Sequence, residues 1–363
     1  MRNFLKLDWV LGAAIALLLG VGMLALYSVS FSGNTLVADH FYRQLEAAAF
    51  GIFLMLVFSF FDYRVLSVYS TKLYFAMIAI LFLVLIFGTT VRGTTGWIGL
   101  GNFHIQPVEV TKIIMIIFLA SFLSKKKTKL SEASRIAVSI ILVFIPAFLI
   151  LRQPDFGSAA VIAGVWGGML LASEISKKNI LILFLAIAVA SGGSYFFLKD
   201  YQKERLYNFV NPENDPLGSG YNVAQSMVAV GSGGIFGKGI GHGPQSQLNF
   251  LPEKHTDFIF AAIAEELGLL GSLFVIFLFA VLLYRIKKTA LLARDNFGYL
   301  LAVGIMAMFF LQILINVGMN IGLNPVAGVP LPLLSYGGSS LVAVLAGLGI
   351  IQSVYVRGIK TLD

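Results

Sequence analysis

Apolar runs follow one another along most of the chain, separated by short polar breaks. Ten stand out, at roughly 8–31, 42–61, 72–88, 107–124, 134–151, 157–173, 179–198, 258–284, 297–320 and 337–356. A bilayer core is crossed by about 20 residues of helix. Helix is the default because lipid offers no hydrogen bonds to an open backbone. The third and sixth runs are short and are expected to begin earlier than these limits. The pattern predicts an all-α, polytopic membrane protein of about ten spans, a single transmembrane domain over 1–363 without internal repeat or soluble module. The start, MRNFLKLDWV, is basic and then apolar to about Phe31. That is too long for a signal-peptide core and no A-x-A site follows, so it reads as a retained first span.

Composition sharpens this. Charged residues make up 12% of the 363 and hydrophobic ones 58%, against about 25% charged in soluble domains. Mean hydropathy is +0.87. The net charge of +8 comes from Lys and Arg in short loops. With the N-terminus in the cytoplasm, about seventeen of them fall inside, KKKTK at Lys125 among them, and about eight outside. Both ends are therefore expected in the cytoplasm, in a multi-pass protein of the cytoplasmic (inner) membrane. No basic stripe or stacking platform points to nucleic acid. The chain has no cysteine, which excludes disulfides and thiolate chemistry.

Two outer loops are long, from about Thr89 to Gln106 and, between spans seven and eight, from about Lys199 to Thr256. Loops of this length are functional or disordered. The second contains glycine clusters and few charges, and a short interfacial helix is expected near Val223–Val230.

Four polar clusters fall on the outer side. LPEKHTDFIFAAIAEELG puts His255 and Asp257 at the mouth of the eighth span and Glu265 and Glu266 inside it. Asp257 is either a helix cap, with Thr256, or an ionised carboxylate held by the helix dipole. Of two adjacent glutamates, at least one must face protein or a water-filled cavity. VRGTTGWIGLGNFHIQPVEVTK contains Trp97, an interfacial anchor by type. It also places Glu109 and Lys112 three apart on one helix face, as a structural ion pair or a cavity lining. LRQPDFGSA supplies Arg152 and Asp155, the latter a possible cap of the sixth span. NPVAGVPLPLLSYGGSS, with Ser335, reads as a structured re-entrant turn, tolerated only in protein or facing water. Their convergence describes one outward-open cavity holding carboxylates and cations. GSGGIFGKG fails the phosphate-loop pattern, since Gly239 follows Lys238. The four histidines lack ligand spacing, so a protein-only zinc site is not expected.

In this order and on this many spans, HTDFIFAAIAEELG, QPVEVTK, RQPDFGSA, VGSGGIFGKGIG and PLPLLSYGGSS resemble the SEDS family of cell-wall polymerases. The likeness covers essentially the whole chain, and QSQLNFLPEKHTDFIFA leans toward the family's elongation branch. The resemblance implies a peptidoglycan glycosyltransferase that polymerises lipid II on the outer face during cell elongation. A class B penicillin-binding protein and the elongation machinery are its implied partners. It implies that Asp257 is essential and that Trp97, Glu109 and Lys112 are functionally sensitive. The chain departs from the family at Val108, where many members have Ser. It departs again at Thr95 and Gly96, where many have a basic residue before the Trp, so that Arg92 is the nearest cation.

On this reading Asp257 is a general base for the acceptor hydroxyl. Cations hold the departing diphosphate, the candidates being Lys112, Arg152, Arg43 and Arg92. Asp155, His255, Lys238 and Ser335 complete the candidate substrate-binding set. No cofactor is demanded by the residues; Mg²⁺, or Mn²⁺, is the one that a diphosphate leaving group invites. A transporter or flippase of a lipid-linked precursor is the alternative, since charge within a bundle fits that too, and a non-catalytic scaffold is a third.

Overall fold

The computed structural model describes residues 6–30, 35–91, 94–100, 103–125, 131–194, 203, 219–251 and 253–359. The chain runs through α1 (Trp9–Ser30), α2 (Thr35–Phe60) and α3 (Tyr63–Phe87), then three strands, β1 (Thr89–Val91), β2 (Thr94–Leu100) and β3 (Phe103–Ile105). It continues with α4 (Pro107–Ser124), α5 (Glu132–Arg152), α6 (Phe156–Ala172) and α7 (Lys177–Ser194). After these come α8 (Ser219–Ser232), α9 (Pro244–Gln247), α10 (Ile259–Leu292), α11 (Asn296–Asn320) and α12 (Gly338–Gly358).

Among the described residues, eight helices are long and apolar enough to cross a membrane, and α6 is a shorter apolar helix. Large apolar side chains such as Phe75 (64% exposed) and Phe87 (77%) point away from the bundle, where only lipid could cover them. The protein is a mostly helical, multi-pass membrane protein. The third and sixth runs do begin earlier, at Tyr63 and Phe156. Helix α8 encloses the segment expected near 223–230.

The expectation of an all-α chain needs correction. The segment after α3 is a three-stranded antiparallel sheet in the order β1-β2-β3, with Thr89 opposite Trp97 and Ile98 opposite Ile105. Threonine, Trp, Val and Ile favour strands, and pairing lets this exposed return segment satisfy its own backbone.

At the core, α12 packs along α2, and α11 lies against α4, α6 and α10. One end of the bundle is tied by ion pairs: Asp8 with Arg285 at 2.7 Å and Arg64 with Asp295 at 3.1 Å. Gln352 of α12 donates to the Asp8 carbonyl at 3.0 Å. The starts of α4, α6, α10 and α12 gather at the other end, with the candidate residues.

Helix α10 is broken at Gly268, whose φ of 69° lies in the left-handed region that glycine alone enters without strain. The freed backbone groups are answered by the segment after α8. Lys238 and Gly239 N–H donate to the Glu265 and Glu266 carbonyls (both 3.0 Å), while Leu269 and Leu270 N–H donate to Gly234 and Ile235 (2.9 and 3.2 Å). A non-helical stretch at membrane depth is tolerable when it is paired in this way.

Candidate active site

Residues 253–258 form a tight turn ahead of α10. Thr256 and Phe258 N–H both donate to the Glu253 carbonyl, at 3.0 and 3.3 Å. The three successive carbonyls of His255, Thr256 and Asp257 are each held by a distant segment. Tyr336 N–H donates to His255 O at 2.8 Å, and the Ser335 hydroxyl donates to Thr256 O at 2.6 Å. Asn316 and Asn320 of α11 both place Nδ2 at 3.0 Å from Asp257 O. The backbone around Asp257 is thus fixed from α11 and from the turn before α12. Its side chain is half-buried and faces Gly328, where an added Cβ would lie 3.8 Å from Oδ2. Gly328 itself has a φ of +64°.

Asp257 is not the cap of α10. The N-cap is Phe258, which makes no side-chain cap hydrogen bond. The Ala261 N–H, two residues into the helix, donates instead to Asn320 Oδ1 at 3.0 Å. An amide on a neighbouring helix does the work that local sequence assigns to Thr256 or Asp257.

The surrounding walls come from α2, α4 and α6. Gln44 of α2 bridges the turn before α12, donating to Ser335 O and accepting from Gly337 N, both at 3.0 Å. The His40 ring stacks on His255, with centroids 4.8 Å apart, and lies 4.5 Å from Tyr336. Gln106 N–H, at the start of α4, donates to Ser339 Oγ at 3.0 Å. Within α4, Lys112 Nζ donates to Glu109 Oε1 at 2.8 Å, with side chains 2% and 3% exposed. Asp155 does cap α6, accepting from Ser158 N–H at 2.9 Å. Burial raises its carboxyl above the usual range, opposed by the Ser158 bonds and by the charge of Lys112.

Other predicted residues lie further out. Trp97, on β2, is half-buried and donates from Nε1 to Thr94 Oγ1 at 3.3 Å. Arg43 is exposed on α2, and Lys238 is exposed beside the break in α10. The exposed Arg152 guanidinium stands over the Phe148 ring at 5.9 Å. Arg92 lies outside the described residues. The structure therefore gathers Asp257, His255 and Ser335 in one turn system and puts Glu109, Lys112 and Asp155 in one buried charge cluster. Arg43, Arg152 and Lys238 stand at the surface.

Three side chains, those of Asn316, Asn320 and Gln44, escaped the reading of the sequence. Asn316 and Asn320 are fully buried, and their spacing of four on one face of an apolar run was the available signal. Gln44 gave no such signal. Glu265 and Glu266 are both buried, at 0% and 2% exposure, and both organise the segment between α8 and α10. Glu265 accepts from Gln245 and Ser246 N–H at 2.8 and 2.9 Å. Glu266 accepts from the Ser28 hydroxyl and from Gly241 N–H at 3.2 Å. Lys254 donates to the Ser246 carbonyl nearby. Burial lowers its amine below the usual range, and the charges of Glu266 and Glu265 oppose that shift.

Among the described residues no group of three or more His, Cys, Asp or Glu could hold a metal ion, so these side chains alone form no protein-only site for Mg²⁺ or Mn²⁺.

A bundle of membrane-crossing helices with a clamped carboxylate turn at one end defines the class. The FtsW/RodA/SpoVE family model, described as "Cell cycle protein", matches residues 9–358. The chain belongs to that family. It is 40% identical over 316 residues to the peptidoglycan glycosyltransferase MrdB of Escherichia coli K12, covering 87% of this chain and 85% of that protein. It is 33% identical over 432 residues to the peptidoglycan glycosyltransferase RodA of Treponema pallidum, covering 98% and 99%. Among solved structures, one from work on the coordination of polymerization and crosslinking by a peptidoglycan synthase complex superposes with a TM-score of 0.82. It is 30% identical and covers 98% of this chain and 99% of its own. RodA of Thermus thermophilus superposes with a TM-score of 0.72 at 27% identity, covering 97% and 98%.

Proposed function

We propose that this protein is a peptidoglycan glycosyltransferase of the elongation type, which joins lipid II units into glycan strands on the outer face of the cytoplasmic membrane. Family membership and the glycosyltransferase relatives support the activity. The observation that carries the site is the turn at Asp257, whose backbone is bound at three successive carbonyls while its carboxylate is left half-buried. A base must be fixed within hydrogen-bond reach of the proton it takes, and a clamped backbone provides that.

Asp257 takes the proton from the acceptor sugar 4-hydroxyl as its oxygen bonds to the donor's anomeric carbon. The bond from that carbon to the undecaprenyl diphosphate breaks, and the electron pair leaves with the diphosphate. Direct displacement turns an α-linked donor into a β-linked product. No acid has to protonate the leaving group, so a glycosidase-like pair of carboxylates is unnecessary. Cations stabilise the departing charge. Arg43, at the surface of the same end, is placed for that, whereas Lys112 must exchange its bond to Glu109 before it can contribute.

The gathering of Arg64, Lys125, Arg285 and Arg357 at the end opposite Asp257 supports an orientation with that end and both termini in the cytoplasm. A class B penicillin-binding protein, which crosslinks the product, is the partner this reading assigns.

The test is polymerisation of purified lipid II in detergent, with no membrane to cross, so that a flippase has nothing to do. Wild-type protein is expected to make glycan strands. Asp257→Ala is expected to lose about 10²–10⁴-fold in rate while remaining folded. Strand synthesis by Asp257→Ala at the wild-type rate would remove the base assignment. A chelator arm reports whether a divalent ion joins the substrate.

A further inference from the structure

A cavity of about 240 Å³ opens between α3, α4 and α5, at the Lys125 end of α4. Helix α4 is 18 residues long, so this end is roughly 27 Å from the Gln106 end that meets the Asp257 region. The cavity is separate from the candidate active site. Its walls are largely apolar and aromatic. The Tyr74 and Phe118 rings stack at 4.2 Å, and Phe75, Phe122 and Leu142 line the remainder.

The polar groups of Ser70, Tyr74 and Ser121 in the wall are engaged with neighbouring protein groups. Tyr74 OH donates to the Leu142 carbonyl at 2.9 Å. Ser70 Oγ donates to Ser67 O at 2.8 Å, and the Ser121 and Ser67 hydroxyls bond each other at 3.1 Å. An apolar cavity of this kind gives water few partners. Phe75 is 64% exposed on the outer surface of the bundle, so the opening meets lipid.

Among the described residues one charge lines the cavity, that of the exposed Lys125 at the C-cap of α4. No acidic residue among the described ones lines it. The ligand that matches is a chain of methylenes ending in a single anion. Cationic pockets between membrane helices select anionic headgroups, and the C-terminal dipole of α4 favours keeping its own cation there.

We infer that this cavity binds an anionic phospholipid from the leaflet on the Lys125 side, with part of one acyl chain against Phe75, Phe122 and Leu142 and the phosphate on the Lys125 ammonium. A zwitterionic lipid fills the same space but gains less from that cation. The inference is independent of the role given to Asp257.

The test uses the full chain in nanodiscs of equal phosphatidylglycerol and phosphatidylcholine, with the retained lipid read by native mass spectrometry. Wild-type protein is expected to retain phosphatidylglycerol in preference by about fivefold. Lys125→Glu, an exposed change that leaves the walls intact, should bring the ratio to about one or below. Leu142→Trp fills the cavity and should lower retention of both lipids. Equal retention of the two lipids by the wild type overturns the inference, as does an unchanged ratio in Lys125→Glu. Lys125→Glu carries the decision alone where Leu142→Trp does not fold.

Discussion

Asn320→Leu separates two jobs that one side chain performs at the candidate base. Its Oδ1 accepts from Ala261 N–H, one of the four unpaired donors at the start of α10, and its Nδ2 donates to Asp257 O. Leucine is close in size and replaces both bonds with nothing. Loss of a cap is worth about 1 kcal/mol, and a buried N–H left without a partner about 1–3 kcal/mol. Asp257 O falls from two donors to one, and the remaining donor, Asn316 Nδ2, is shared with Val329 O at 2.8 Å. These are two measures of one event, the loss of the acceptor for Ala261 N–H, and the cost of about 1–3 kcal/mol is drawn from a single turn, so the turn should shift. A displacement of about 1 Å at a catalytic group is worth about 10²-fold in rate. In the lipid II assay kcat should drop by about that factor while KM stays within about threefold, since the bound substrate is not touched. Asn316→Leu removes a donor from Asp257 O without uncapping α10, so it should lower kcat with a smaller loss of thermal stability. A folded Asn320→Leu protein with wild-type kcat refutes the claim that α11 positions Asp257.

Two further changes test the rest of the scaffold. Lys112→Met leaves Glu109 as an unpaired carboxylate that is 3% exposed, a loss of about 3–5 kcal/mol for breaking a buried pair from one side. Adding Glu109→Leu should restore the unfolding temperature but not polymerisation, and full activity in the double variant would make the pair structural only. Gly268→Ala meets the Gly237 and Ile235 backbone and a φ of 69°. It should detach the 234–239 segment, which limited proteolysis would report as new cleavage there; an unchanged digest would show that the break in α10 tolerates a side chain.

The bundle was legible because lipid imposes one rule, that a spanning segment must satisfy its own backbone. Apolar runs therefore marked most helices, and Pro107 and Gly338 stand at the starts of α4 and α12 where turn-prone sequence ends. The small sheet was missed because β1 and β3 hold three residues each, too few for an alternating pattern to register. The site was legible as chemistry but not as geometry. HTD announced a carboxylate at a helix mouth, and a local rule offered capping as the alternative to chemistry. That rule failed because the acceptor for Ala261 N–H comes from Asn320, 59 residues away, and short-range sequence has no access to such a pairing.

The same failure explains why the polar residues of the spans mattered more than their number suggests. Asn316, Asn320, Glu265 and Glu266 each sit in an apolar run and are 2% exposed or less. Buried polar groups are tolerated only when paired. Here the partners of all four include backbone groups of irregular segments: the Asp257 turn for the asparagines, the 241–246 loop for the glutamates. Helix side chains thus hold in place the loops that a bilayer surface would not hold by itself. In this chain a polar residue deep in a span is best read first as the anchor of a loop, and the chemistry is to be sought on the loop it anchors.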